Sequence, residues 1–223
     1  MISRNAITLW LVFTALHGFG QESCSFKLGK LKYEGGGDWY ANPSSLPNMI
    51  KYINENAGSS ICNEPTIVSP NNSDLTTFPV IYATGHGNIY FTEQEVLNLR
   101  NYIEAGGFLF FDDNYGMHKY IMRELAKIFP ESVPKEIPFT HPIFHKVYSL
   151  KGGMPKIHQH DGLPAKLLGL TFNGRLAVVV THESDLGDGW EDATVHNDPE
   201  NVRQAAFQMG VNIISYAISQ TNN

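Results

Sequence analysis

The sequence predicts an α/β fold with a mostly parallel sheet, and three stretches of the chain carry that prediction. Pro79–Ala83 is a short apolar run that stops at a glycine-flanked histidine. Thr92 and Glu95 then form a capping box, in which each side chain satisfies a backbone N–H at the start of a helix. Phe108–Phe111 is a second apolar run, typical of a strand buried on both faces. Strand, helix and strand in this order predict a βαβ unit.

The elements before this unit have weaker patterns. Residues 26–33 alternate apolar residues with lysines and predict the first strand. Ser44 or Ser45 caps a helix that ends at Gly58, and residues 64–69 predict the second strand. If the sheet is doubly wound, we expect the strand order 2-1-3-4.

The elements after the unit are a helix, a hairpin and a last helix. Residues 119–129 keep a helical apolar period, which Pro130 ends. Asn173-Gly174 separates two apolar runs, residues 166–172 and 175–181, and is typical of a two-residue hairpin turn. Asp198 and Pro199 begin the final helix. The prediction is therefore a parallel sheet with a C-terminal β-hairpin plus helix.

The N-terminal residues predict export. Arg4 precedes an uncharged, partly apolar run that ends in small residues at Gly18-Phe19-Gly20. We expect a signal peptide at residues 1–20, a single domain over residues 21–223, and a secreted or periplasmic protein without a transmembrane segment after cleavage. An uncleaved membrane anchor is the alternative. In an oxidising compartment Cys24 and Cys62 could pair, and two unpaired cysteines are the other option.

Composition limits the class of protein and of partner. Hydrophobic residues make up 42% of the chain and charged residues 17%, as in ordinary globular proteins. The formal net charge is -6, and no basic stripe is present. Because phosphate binding depends on clustered lysine and arginine, the sequence argues against a nucleic-acid partner.

The strand exits predict a ligand crevice, since ligands of parallel sheets bind outside the carboxyl ends of the strands. We include in it the polar and glycine residues of these exits and of the acidic loop at residues 185–192. Trp39 and Trp190 could stack on a sugar ring or pack in the core. Asp112 and Asp113 could act as a general-base pair or cap the following helix. The candidates are Gly36, Gly37, Asp38, Trp39, Gly85, His86, Gly87, Asn88, Asp112, Asp113, Asn114, Asp185 and Trp190.

Histidines after residue 140 suggest a metal site. His158 and His160 share a face if their segment is extended, and His182 with a carboxylate could complete a divalent metal site. No complete ligand signature such as H-E-x-x-H is present. The alternative is that these histidines are hydrogen-bonded residues of a polar rim.

Several of these segments together resemble the bacterial domain-of-unknown-function family 4159. They span nearly the whole chain after the signal: residues 31–40, 84–88, 111–116, 141–145, 156–162 and 185–192. The resemblance implies a three-layer, flavodoxin-like fold similar to class I glutamine amidotransferases. Those enzymes carry a nucleophilic cysteine on a sharp strand-to-helix elbow. Here the corresponding exit is Phe111-Asp112-Asp113-Asn114, so thioester chemistry is not expected.

Three functions follow as hypotheses. The first is a ligand- or partner-binding module without thiol chemistry, whose partner is a small molecule, a glycan or an envelope protein. The second is a metal-dependent hydrolase acting on glycans or peptides, with a divalent metal as cofactor. The third is a scaffold subunit of an envelope complex.

Overall fold

A computed structural model describes residues 24–221, which form one seven-stranded sheet covered by helices on both faces. The predicted signal peptide, residues 1–20, lies outside the described residues. The strand order is β2-β1-β3-β4-β7-β6-β5. The predicted order 2-1-3-4 is therefore confirmed. The strands are β1 Gly29–Leu31, β2 Thr66–Val68, β3 Val80–Gly85, β4 Phe108–Asp113, β5 Lys135–Glu136, β6 Lys166–Phe172 and β7 Arg175–His182.

Neighbouring strands are parallel along the series β2, β1, β3, β4 and β7. The β7–β6 and β6–β5 pairs are antiparallel. β7 pairs with the centre of the sheet through β4, so the predicted hairpin of β6 and β7 extends the sheet. Asn173 and Gly174 have φ of 49° and 79°, the left-handed conformations that a tight two-residue turn requires. The mostly parallel α/β prediction is confirmed.

The helices make the outer layers, and alternate strand residues face each layer. The helices are α1 Ser45–Ala57, α2 Glu93–Glu104, α3 His118–Ile128, α4 Ala193–His196 and α5 Glu200–Thr221. Val80 and Tyr82 pack in the core beneath α1 and α5, whereas Ile81 and Ala83 pack in the core beneath α2 and α3. Because successive side chains of a strand point to opposite faces, a strand with a core on each side needs apolar residues at consecutive positions.

Local signals place most helix ends where the sequence predicts them. The capping box is present, since Glu95 N donates to Thr92 Oγ1 at 3.3 Å and Thr92 N donates to Glu95 Oε2 at 2.9 Å. Gly58 ends α1 in the left-handed conformation with φ of 63°. β1 is shorter than predicted, because only Gly29–Leu31 pairs with both neighbours and Phe26 makes an isolated bridge to Ile61.

A disulfide joins Cys24 to Cys62 and ties the segment before β1 to the loop after α1. Of the two options that the sequence left open, the structure has the paired one. Within residues 24–221, none of the helices combines the length and the apolarity that crossing a bilayer takes.

Candidate functional site

The exits of β1, β3, β4 and β7 lie at one edge of the sheet, where polar side chains collect. At the exit of β1, Gly37 N donates to Asn88 O at 2.9 Å, which holds the glycine loop against the loop after β3. A Cβ on Gly37 would lie 2.7 Å from His86 O, so this close approach of two backbones requires glycine. The two loops that we predicted to line the ligand crevice, after β1 and after β3, are therefore brought together. We name this part of the crevice the glycine crevice.

Asp38 and His86 pair at the mouth of this crevice. The Asp38 carboxylate accepts a hydrogen bond from His86 N, and its Oδ2 lies 3.0 Å from His86 Nδ1. Partial burial raises the pKa of Asp38, but the hydrogen bonds and charge of His86 outweigh it, so the net pKa is below the ordinary value. The His86 side chain is 51% exposed. Trp39 lies alongside, with Lys32 Nζ 5.7 Å from its ring centroid.

Asp112, the first acidic residue at the end of β4, organises the interior beneath the site. Its carboxylate accepts hydrogen bonds from Thr181 Oγ1, from Gly187 N at 2.6 Å and from Tyr82 Oη at 3.0 Å. Complete burial raises the pKa of Asp112 to about 7, although these hydrogen bonds oppose the shift. Asp112 does not cap α3, so the capping hypothesis is wrong for this residue.

Asp113, by contrast, contacts the residue that precedes α3. Its Oδ1 accepts from Met117 N at 2.7 Å, next to the start of α3, and its Oδ2 lies 3.4 Å from His182 Nδ1. Asn114 accepts from Thr84 Oγ1 at 3.1 Å and donates through Nδ2 to Asp188 Oδ1 at 3.0 Å. The exit of β4 is thus connected both to β7 and to the acidic loop.

A group of histidines and aspartates lies where the acidic loop meets residues 156–162. We name it the His158 centre, and its members are His158, His160, Asp185, Asp188 and His196. Nδ1 of His158 lies 3.0 Å from Asp188 Oδ2 and 3.5 Å from Asp185 Oδ2. Nε2 of His160 contacts Asp185 Oδ2, and Nε2 of His196 lies 4.0 Å from Asp188 Oδ2. His158 belongs to two sets of three potential metal ligands.

Outer contacts orient the members of the His158 centre. His158 Nε2 lies 3.2 Å from Asp198 Oδ1, so a carboxylate holds the ring from behind. Asp188 Oδ1 accepts from Asn42 Nδ2 at 2.5 Å and from Asn114 Nδ2 at 3.0 Å, which leaves Oδ2 for the centre. Carboxylate and amide partners of this kind fix the tautomer and direction of metal ligands.

Asp185 is 1% exposed and has one carboxylate oxygen, Oδ1, without a hydrogen-bond partner in the described part of the chain. Burial raises the pKa of Asp185, while His160 and His158 lower it by a smaller amount. Its backbone is left-handed with φ of 53°, and so is that of Glu183 with φ of 58°. Such strained conformations persist only where the surrounding structure holds them, and they concentrate at functional sites.

A second group, Asp113, His118 and His182, lies beside the first and lines a pocket; we name it the pocket triad. The rings of the two histidines stack with centroids 3.9 Å apart. Burial and the neighbouring His182 lower the pKa of His118. The pocket has a volume of about 310 Å³ and is also lined by Tyr115, Gly116, Lys119, Asp161 and Glu183.

Two predicted site residues lie elsewhere than expected. Trp190 is fully buried, packs on Tyr82 and Phe110, and donates from Nε1 to Ala206 O at 2.9 Å. It is a core residue, and the prediction that it lines the crevice is wrong. His182 lies in the pocket triad, apart from His158 and His160. The three predicted ligands thus contribute to two groups.

Sequence reasoning missed several residues of the site. His118 and His196 stand alone in helical segments, and neither has a ligand spacing to another histidine in the sequence. Asp188 lies in the acidic loop that composition alone marks as oxygen-rich, and Asp198 was assigned only a capping role. His118 reaches the site at the start of α3, and the other three residues reach it through the packing of the acidic loop and the segment before α5.

Residues 27–218 match the profile of the family described as Domain of unknown function (DUF4159). The chain belongs to this family. The DUF4159 match covers all seven strands and both groups of histidines and aspartates. It confirms the family that the sequence motifs resemble, while the likeness to class I amidotransferases stays a prediction. A search of curated proteins returned no match to this DUF4159 chain.

Proposed function

We propose that the protein binds a divalent metal ion at the His158 centre and acts as a metal-dependent hydrolase. The observation that carries the proposal is the position of His158, whose Nδ1 faces Asp185 and Asp188 while Nε2 faces Asp198. Metal-ligating histidines commonly have this arrangement. One ring nitrogen faces the ion and its other ligands, and the other donates to a carboxylate.

The spacing of the ligand atoms supports a bound ion. Tetrahedral bonds of about 2.1 Å place ligand atoms about 3.4 Å apart, and octahedral ones about 3.0 Å. Nδ1 of His158 lies 3.5 Å and 3.0 Å from the two carboxylate oxygens that face it. His158 Nδ1 and His160 Nε2 both face Asp185 Oδ2, so nitrogens of the two rings lie near one carboxylate oxygen. Imidazole with carboxylate suits zinc and related transition ions.

The charge balance favours the same conclusion. Among the ion pairs of residues 24–221, Asp185, Asp188 and Asp198 meet only histidines, and neither lysine nor arginine pairs with them. Buried carboxylates without a cation are costly, and the free Oδ1 of Asp185 adds a further acceptor. A divalent cation bound at the centre would balance the charge of these carboxylates.

The chemistry of such an ion accounts for the hydrolase assignment. A bound divalent ion lowers the pKa of a coordinated water and polarises a carbonyl or phosphoryl oxygen. Tyr115 stacks on His160 and also lines the pocket of about 310 Å³, which provides space for part of a polar substrate. The predicted export signal, together with the disulfide, supports a secreted or periplasmic enzyme acting on glycans or peptides.

A second candidate is ligand binding at the glycine crevice without chemistry. The Asp38–His86 pair favours it, because Asp38 fixes the imidazole of His86 while that side chain stays 51% exposed. Trp39 adds an aromatic surface nearby. In this alternative His86→Ala abolishes binding of the ligand, and His158→Ala leaves it unchanged. A scaffold subunit of an envelope complex would tolerate both substitutions.

Metal analysis of the processed chain, purified without a His tag or chelator, tests the proposal. We expect His158→Ala to lose about one divalent ion per chain relative to wild type. His145→Ala is the matched control, because His145 is an exposed histidine that contacts Phe139 O and Ser149 outside both groups. A wild-type chain that takes up no zinc, cobalt or manganese after loading and desalting would overturn the proposal.

The hydrolase assignment needs its own assay. Release of amines and reducing ends from peptidoglycan fragments, peptides and acetylated glycans is measured after chelation and after metal return. We expect activity that disappears with chelator, returns with metal and is absent in His158→Ala. Hydrolysis that persists undiminished in the metal-free protein would contradict metal dependence.

A further inference from the structure

We propose that the pocket triad, Asp113, His118 and His182, binds a second divalent ion whose free coordination positions face the pocket. The inference goes beyond the proposed function, because the triad shares no ligand with the His158 centre. Its three potential ligand atoms lie within 4.8 Å of one another. Two histidines and one carboxylate are a common ligand set of catalytic metal ions.

The carboxylate of the triad is held in place for this role. Asp113 is 2% exposed, and Met117 N donates to its Oδ1 at 2.7 Å. Its other oxygen, Oδ2, lies 3.4 Å from Nδ1 of His182, the spacing expected of two atoms that ligate one ion. Thr181 Oγ1, which accepts from Asp113 N at 3.2 Å, fixes the backbone at the same point.

An unsatisfied nitrogen is the second observation. Nδ1 of His118 is buried and has no hydrogen-bond partner within residues 24–221. Buried polar atoms of native proteins nearly always have partners, and an exception calls for a ligand or an ion. The His118 ring stacks on that of His182, so the edges of both rings are close together.

The pocket gives this site access to a ligand. Catalytic metal sites keep coordination positions open to substrate. Asp113, His118 and His182 all line the pocket of about 310 Å³. Its wall includes Tyr115 and Glu183, which have left-handed backbones with φ of 83° and 58°. Strained backbone at both strand exits holds the loops around the pocket.

Charge decides between a cation and an anion in the pocket. The first turn of α3 favours anions, and Lys119 also lines the pocket. However, Asp113 already occupies the helix terminus, and Asp161 and Glu183 add two carboxylates, of which Glu183 pairs with Lys156 at 2.9 Å. The balance favours a cation, which would then present its open positions to an oxygen ligand such as a carbonyl or carboxylate.

Cobalt(II) and zinc(II) binding to the full processed chain tests the inference. We expect wild type to take up about two ions per chain, and His118→Ala and His158→Ala to take up about one each. The double variant should take up none, and His145→Ala should match wild type. Circular dichroism verifies that each variant folds.

The outcomes separate this inference from the proposed function. If His118→Ala retains the wild-type number of ions while His158→Ala loses one, the second site is wrong and the first stands. If only His118→Ala loses an ion, the second site stands and the first is wrong. If His118→Ala does not fold, cobalt titration of His158→Ala decides, and the absence of uptake by this folded variant overturns the second site.

Discussion

At the scale of single residues, Asp112 has the least ordinary environment among the carboxylates of the site. It is fully buried at the centre of the sheet edge, and its oxygens accept from Thr181, Gly187 and Tyr82. Because burial raises its pKa to about 7 from an ordinary 3.8, the folded protein holds a proton that the unfolded chain releases. The stability that this proton gives is complete below about pH 4 and disappears as the pH rises to about 7.

Asp112→Asn tests this linkage. The amide resembles the protonated carboxyl, so it keeps an acceptor for Gly187 N and can donate to Thr181 Oγ1. We expect wild type to lose about 1.4 kcal/mol of unfolding free energy per pH unit over this range relative to the variant. Urea unfolding at several pH values, with chelator present, measures the difference. Parallel curves for the two proteins would contradict the raised pKa.

Gly187 is the second residue with a sharp prediction. A Cβ there would lie 2.5 Å from Tyr82 Oη and 2.7 Å from Asp112 Oδ2, closer than atoms approach in folded proteins. We expect Gly187→Ala to cost roughly 1–3 kcal/mol and to weaken metal binding, because Asp188 follows directly. Urea unfolding and cobalt titration measure the two effects.

Gly152→Ala is the matched control for this substitution. An added Cβ at Gly152 would meet no atom within 4 Å, so we expect stability and metal uptake close to wild type. Equal effects of the two substitutions would show that crowding at Gly187 does not cause the loss of stability or of metal binding.

At the scale of elements, the capping box of α2 involves two residues that are three positions apart. Thr92 and Glu95 satisfy each other's backbone N–H groups at the start of the helix. We expect Thr92→Ala to lower the free energy of unfolding by about 1 kcal/mol and to leave metal content unchanged. Thr140→Ala, at an exposed position, is the control. A loss of metal in Thr92→Ala would mean that α2 is coupled to the site.

The acidic loop between β7 and α5 is the element that assembles the His158 centre. It contributes Asp185 and Asp188, and its 3₁₀ turn buries Trp190 against the core. The tryptophan therefore anchors the loop, while the aspartates on the same loop face the histidines. Trp190 was predicted to line the crevice but packs in the core, whereas Asp185 and Asp188 on the same loop belong to the His158 centre.

At the scale of the whole molecule, the disulfide connects the start of the domain to the end of the first helix–loop unit. Its cysteines are 38 residues apart in sequence. The chain-entropy relation for a loop of this size predicts about 4 kcal/mol of stabilisation. We expect the double variant Cys24→Ser, Cys62→Ser to unfold at a correspondingly lower urea concentration.

Reduction provides the internal check on that prediction. Dithiothreitol should destabilise wild type to the level of the double variant and leave the double variant unchanged. An unfolding midpoint of wild type that does not respond to reduction would mean that the two cysteines are not joined in the purified protein.

The strand order 2-1-3-4 is expected only on the condition that the sheet is doubly wound, whereas the central βαβ unit and the hairpin follow from the sequence alone. These depend on local patterns, namely the capping box at Thr92, the turn at Asn173-Gly174 and apolar runs at Pro79–Ala83 and Phe108–Phe111. It also placed Asp38 beside His86, because the exits of neighbouring parallel strands meet at one edge of the sheet.

Which polar residues share a site depends on how the loops pack. Trp190 became core, and His182 separated from His158, because burial and proximity depend on how the acidic loop packs on α5 and the sheet. His182 meets Asp113 and His158 meets Asp185 across long stretches of sequence, and no spacing in the sequence encodes such contacts. Local chemistry fixes where an element begins and turns, whereas a site made of side chains from several loops exists only after those loops have packed.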